Sequence, residues 1–224
     1  MDRLKRMIGS VWAAVLAHKV ATGLFVLGGL LWLVFSLMID MFAPAIVGLP
    51  VLVAAVAWGL HRWWRRRADD ASGTRVGVMA VVSAAVAAVV VMVVIQAIPY
   101  GRNHTNPTPT GEPQWANTAT RDIIVAACYD CHSDKTKYPT YASIAPISWT
   151  VQHHIDEGRG KLNFSEFATN KRGFDDVIEV IRNGSMPPGY FTAFGMHPEA
   201  KLTKQQVATV IAGLEQTPGI GHGG

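Results

Sequence analysis

The 224-residue chain has two cysteines, and both lie in the stretch CYDCH at residues 128–132. Two thiols with two residues between them can close a redox disulfide, supply half of a zinc site, or bond a cofactor covalently. Structural zinc needs four Cys or His ligands, usually with a second closely spaced pair, and here His153 and His154 are merely adjacent. A thioredoxin-like pair belongs at a strand-to-helix turn in a βαβ pattern, and no such alternation surrounds residues 128–132. Covalent haem attachment accounts for the third residue too, because two thiols bond the two vinyl groups and the histidine that follows ligates the iron. Cys128, Cys131 and His132 are therefore the candidate attachment residues for one covalent haem c.

Such a site needs a domain to hold it, and the composition divides the chain. Half of the residues are hydrophobic, yet the pI is about 9.2, a value that invites a nucleic-acid reading. Residues 1–99 carry nine Lys or Arg against four Asp or Glu, a balance of +5, whereas residues 100–224 carry eleven against twelve, a balance of −1. The basicity thus belongs to the apolar half, and no nucleic-acid partner is expected.

That half reads as membrane. Three uncharged runs, residues 20–39, 41–60 and 76–100, are each long enough to cross a hydrocarbon core of about 30 Å at about 1.5 Å per helical residue. Asp40 separates the first two runs. Arg62, Arg65, Arg66, Arg67 and Arg75 lie between the second and third, a pattern of loops that stay cytoplasmic. With three crossings, the N-terminus is expected in the cytoplasm and everything beyond Ile98 outside it, in a multi-pass protein of the cell membrane. Apolar residues recur at helical spacing in residues 1–19, predicting an interfacial amphipathic helix. Residues 20–99 then form a three-helix anchor.

Residues 100–115, YGRNHTNPTPTGEPQW, are rich in proline and small polar residues and predict a tether without helix or strand. Residues 116–224 suffice for one small domain. Its expected elements are helical: an apolar stripe at Ile123, Ile124 and Ala127, a helix through VQHHIDEGRGKL capped by Ser148, a third around Val177, Ile178 and Ile181 ended by Gly184, and a last one opened by a capping box at Thr203 and Gln206. The fold class is all-α, three transmembrane helices followed by a small helical domain.

The order of features, an apolar helix into CYDCH, an irregular middle, GSMPPGY in a loop and a terminal helix, resembles a class I cytochrome c. More closely, CYDCHSDKTKYPTYASIAPISW, HHIDEGRGKLNFSEF, IRNGSMPPGY and MHPEAKL are similar to the haem-binding domain family of bacterial c-type cytochromes, over about residues 115–216. Thr140 stands where an aromatic residue is common in that family, and Phe167 where Trp is common. The candidates for a sixth iron ligand are Met186, Met196, His104, His153, His154 and His197. Met186 is favoured, because the extended MPP backbone cannot re-enter a helix and can hold the thioether towards iron, with His197 or Met196 the second choice. In class I cytochromes c a proline carbonyl orients the proximal imidazole, a role the resemblance assigns to Pro146, with Pro139 the rival. Arg159, Trp149, Tyr138, Tyr141 and Tyr190 could contact haem propionates, although surface and core roles are the default for such residues.

Together these features predict an electron-transfer protein rather than an enzyme: a membrane-anchored mono-haem cytochrome passing single electrons between or within membrane-bound redox complexes, such as a quinol-oxidising complex or a terminal oxidase. The alternatives are a haem-based gas or redox sensor, in which a labile sixth ligand yields to a small gas, and a peroxidase-like haem protein, which needs an open iron position.

Overall fold

The computed structural model describes residues 19, 22–41, 43–67, 73–192, 195 and 197–220. The amphipathic helix expected over residues 1–19 lies outside them except for Lys19. Two compact units divide the chain, one holding the apolar helices up to Ile98 and the other running on from Pro99. Among the described residues the regular structure is helical, with one isolated bridge between Gly111 and Glu166.

Three helices make up the apolar unit: α1 (Thr22–Met38), α2 (Ala43–Arg65) and α3 (Gly73–Ile95). Two of them, not the expected three, have the length and composition to cross a membrane. The described part of α1 spans 17 residues, about 25 Å at the α-helical rise, and it ends in a turn where Asp40 takes a positive φ of 47°. α1 and α2 are joined by the Trp32 indole, which donates to the Ile46 carbonyl at 2.9 Å. Between α2 and α3 the small residues Ala57, Ser83 and Ala87 are buried, which lets helix backbones approach closely. The large side chains point the other way: Val47 and Val93 are each 66% exposed and Trp58 is 64% exposed.

The second unit is built from α4 (Thr118–Ala127), α5 (Tyr129–His132), α6 (Ile147–Lys161), α7 (Val177–Arg182) and α8 (Lys204–Glu215). Asn117 caps α4 by accepting from the Thr120 N–H at 2.8 Å, so the helix starts one turn before Asp122. Ser148 caps nothing: α6 already begins at Ile147, after Pro146. The capping box of α8 forms as the sequence predicts, with Thr203 and Gln206 each bonding the other's backbone N–H. α7 ends at Asn183 and the chain turns at Gly184, φ 78°.

Residues 100–115 have neither helix nor strand, but they are fastened to the domain rather than free. The N–H groups of Thr110 and Gly111 both donate to the Ser165 carbonyl at 2.9 Å. The Asn106 amide donates to the Thr136 carbonyl at 3.0 Å, and the His104 ring stacks on Tyr138 with centroids 4.2 Å apart.

Two close approaches set the helix positions. α8 crosses α4 where Gly213 faces Thr120, and a Cβ at 213 would overlap the threonine side chain. α6 crosses the CYDCH turn where Gly158 faces the Cys131 carbonyl, and a Cβ there would stand 2.5 Å from that oxygen. Behind these crossings Phe164, Phe174, Ile124, Val210 and Leu214 fill the core, each at most 1% exposed. Phe167 is buried there too, edge-on to Phe174 at 4.7 Å, so the place where relatives are expected to carry Trp is filled by a smaller ring.

A paired substitution in α6 tests the second crossing. Gly158→Ala should destabilise the domain by about 1–3 kcal/mol, the usual cost of overpacking, whereas Gly160→Ala, with nothing near its added Cβ, should stabilise the helix by about 0.5–1 kcal/mol. Thermal unfolding of the two variants should move the midpoint in opposite directions. Equal shifts would remove the close approach.

Candidate functional site

The CYDCH turn is formed by the end of α4 and by α5, and its geometry comes from the backbone. The Cys128 N–H continues α4 by donating to the Ile124 carbonyl at 2.9 Å, and the His132 N–H closes one further turn onto the Cys128 carbonyl at 2.9 Å. This places Cys128, Cys131 and His132 on the wall of one cavity of about 400 Å³, a size within the roughly 300–1,000 Å³ usual for cofactor and small-molecule sites. Apolar side chains from the helices and their flanks line most of the rest, among them Ile123, Val177, Val180, Leu202 and Val210, and Glu157, Lys161 and Asp176 line it as well.

The two cysteines are free thiols. Burial pushes both up to about 12, so each is a neutral thiol near pH 7. Burial also lowers the pKa of His132, keeping its ring neutral and one nitrogen's lone pair available. Nδ1 donates to the Leu162 carbonyl at 3.1 Å, which fixes the tautomer and leaves Nε2 as the metal-binding atom.

In this structure the ring nitrogen therefore bonds Leu162, whereas Pro146 and its rival Pro139 have other partners. The Pro146 carbonyl accepts from the N–H groups of Trp149 and Thr150 in the first turn of α6, and the Pro139 carbonyl accepts from Ala142 at 3.0 Å. Neither proline lines the cavity. The acceptor is instead the residue that ends α6, where the chain leaves helical geometry and exposes a carbonyl. Leu162 was not legible because a backbone oxygen has no sequence signature. Gly158, by contrast, left a sign: a glycine inside the helical pattern HHIDEGRGK, as close packing against another backbone requires.

Met186 is on the same cavity wall, half-exposed at 40% and followed by Pro187 and Pro188, which also line it. Its N–H donates to the Val180 carbonyl at 3.0 Å and the Asn183 side chain accepts from the Ser185 N–H at 2.9 Å, so the loop is pinned to the end of α7. Of the other ligand candidates, His154 lines the cavity, with the Tyr190 ring tilted against its own at 4.8 Å between centroids. His153, His104 and His197 do not. His104 donates at Nε2 between the carbonyls of Gly101 and Ala142, and His153 is 3.7 Å from Glu157. Met196 lies outside the described residues.

Among the residues considered for propionates, Tyr190 is at the cavity and Arg159, Trp149, Tyr138 and Tyr141 are not. Arg159 works as an internal brace, donating to the Ser133 carbonyl at 2.8 Å, to Asn106 at 2.8 Å and to Thr136 at 3.0 Å. It thereby holds the segment that follows His132 against α6.

These residues fit a haem. A neutral, oriented imidazole faces an apolar cavity, two protonated thiols stand beside it, and a thioether lies on the same wall. No curated protein and no solved structure matches the chain. Residues 90–216 match the model of the haem-binding domain family, more than half of the sequence. The chain is accordingly a member of the haem-binding domain family.

Proposed function

We propose that the protein is a membrane-anchored c-type cytochrome with one covalent haem, carrying single electrons on the extracytoplasmic face. The observation that carries this reading is the convergence of Cys128, Cys131, the oriented His132 and Met186 on one apolar cavity. A bound haem supplies one-electron exchange between ferric and ferrous iron. The chain does the rest. Cys128 and Cys131 would hold the group by two thioether bonds, His132 Nε2 and Met186 Sδ would be its protein ligands, and the apolar walls would exclude water. A thioether ligand would favour the ferrous state, which suits an acceptor at the oxidising end of a chain. Ligation by both side chains would favour electron transfer over gas sensing or peroxidase chemistry.

The membrane part of the proposal rests on α2 and α3. Their large apolar side chains face outward instead of into a protein core, and a hydrocarbon solvent would cover them. Arg62, Arg65, Arg66, Arg67 and Arg75 lie around the connection between these two helices, so the positive-inside rule sets that connection in the cytoplasm. One crossing by α3 then carries the haem domain to the outer side, where c-type attachment takes place. This orientation needs only the two helices that are long enough. The haem domain, with its near-zero charge balance, would exchange electrons with membrane-bound redox complexes such as a quinol-oxidising complex or a terminal oxidase.

Two measurements test these claims. Met186→Ala should keep covalent haem but lose the weak far-red sulfur-to-iron absorption band of the oxidised protein, with a fall in midpoint potential, while Met196→Ala should leave both unchanged. The reverse pattern would move the ligand to Met196, and a parent protein without the band would point to histidine or an open site. A periplasm-active reporter placed after Gly224 should be functional; a reporter active there only in the cytoplasm would reverse the orientation.

A further inference from the structure

Outside the haem cavity, Asp130 meets two side chains from a distant part of the sequence, His197 and Glu199. Asp130 lies between the two cysteines in α5, His197 precedes the short 3-10 helix Pro198–Ala200, and Glu199 lies within that helix. A carboxylate oxygen of each acid and a ring nitrogen of His197 lie within 4.8 Å of one another. The imidazole is held in place. Phe191 stacks flat on it, with centroids 3.9 Å apart and planes 7° apart, the Tyr141 hydroxyl is 3.4 Å from Nε2, and Nδ1 is 3.4 Å from a Glu199 oxygen. Asp130 is fixed from the other side, one oxygen accepting the Lys137 N–H at 3.0 Å.

We propose that Asp130, His197 and Glu199 form a binding site for a divalent transition-metal ion of the zinc class. One imidazole and two carboxylates are a donor set for such ions, whereas magnesium and calcium take oxygen ligands throughout. The two carboxylates balance the ion's charge, and three protein ligands leave a fourth position for water. Ligand atoms bound at about 2.0–2.2 Å around a tetrahedral zinc stand about 3.5 Å apart, so side-chain rotation closes the observed triangle. The ion would tie the stretch between α7 and α8 to the turn that carries the haem thiols. None of the three ligands lines the haem cavity, although Phe191, on which His197 stacks, does; the site requires only that His197 is not the iron ligand.

The test is a calorimetric titration of the chelator-treated, detergent-solubilised, haem-loaded chain with zinc chloride, in a His222→Ala background that removes the histidine near the C-terminus. The expected result is one zinc ion per chain, weakened about tenfold or more by Glu199→Gln and lost in His197→Ala. The haem absorption spectrum should be the same in parent and variants, which also reports that the domain is folded. Absence of saturable zinc binding in the parent would overturn the proposal and leave the three residues as an ion-pair cluster. Binding that survives in Glu199→Gln undiminished would do the same even if His197→Ala failed to fold. A haem spectrum altered by His197→Ala in folded protein would assign the imidazole to the iron and also overturn it.

Discussion

The haem domain depends on the contact between α6 and the CYDCH turn. Because residue 158 is glycine, α6 can lie directly on the Cys131 carbonyl, and the helix then ends where the Leu162 carbonyl reaches His132 Nδ1. One crossing therefore sets three properties at once: the approach of the helix, the tautomer of the imidazole, and the direction in which Nε2 points. The His132 carbonyl accepts in return from the Phe164 N–H at 2.8 Å, so the strap after α6 is bonded to the same residue twice. Arg159, one residue beyond Gly158, fastens the Ser133 carbonyl and keeps the exit from the turn closed.

Electrostatics follow from this packing. Burial acts in the same sense on all three residues of the motif, favouring neutral thiols and a neutral ring. The cavity wall is mainly apolar, and the exposed side chains of Glu157, Lys161 and Asp176 also line it. A separate network lies behind the motif, in which Asp134 is buried beside Arg159 and accepts from the Asn163 amide at 2.9 Å. That network braces the loop after His132.

Side-chain chemistry was legible in the sequence, and backbone chemistry was not. The thiols and the histidine are recognisable because only certain residue types can do the work, and the capping box at Thr203 and Gln206 because its partners are both side chain and backbone. The acceptor for His132 is a carbonyl at a helix end, and any residue can supply one, so the resemblance pointed to a proline and the fold supplied Leu162. Membrane helices show a related limit. Uncharged length announced three runs, and the turn at Asp40 lies where the charge between the first two runs predicts it, but among the described residues two helices have the required length. The proline-rich segment lacks helix and strand as its composition requires, yet composition does not reveal that Ser165, some fifty residues later, receives two of its N–H groups. His197 stood among the possible iron ligands by residue type alone; its position beside Tyr141 and stacked on Phe191, which lines the cavity while His197 does not, needed the tertiary structure.

The central claim is that Cys128 and Cys131 carry the haem covalently, and the intact mass of the denatured, purified chain tests it most directly. The account predicts a single species heavier than the polypeptide by one haem, stable to acid and organic solvent. A polypeptide of unmodified mass with the haem extracted into solvent, or one lighter by the two hydrogens of a Cys128–Cys131 disulfide, would contradict it.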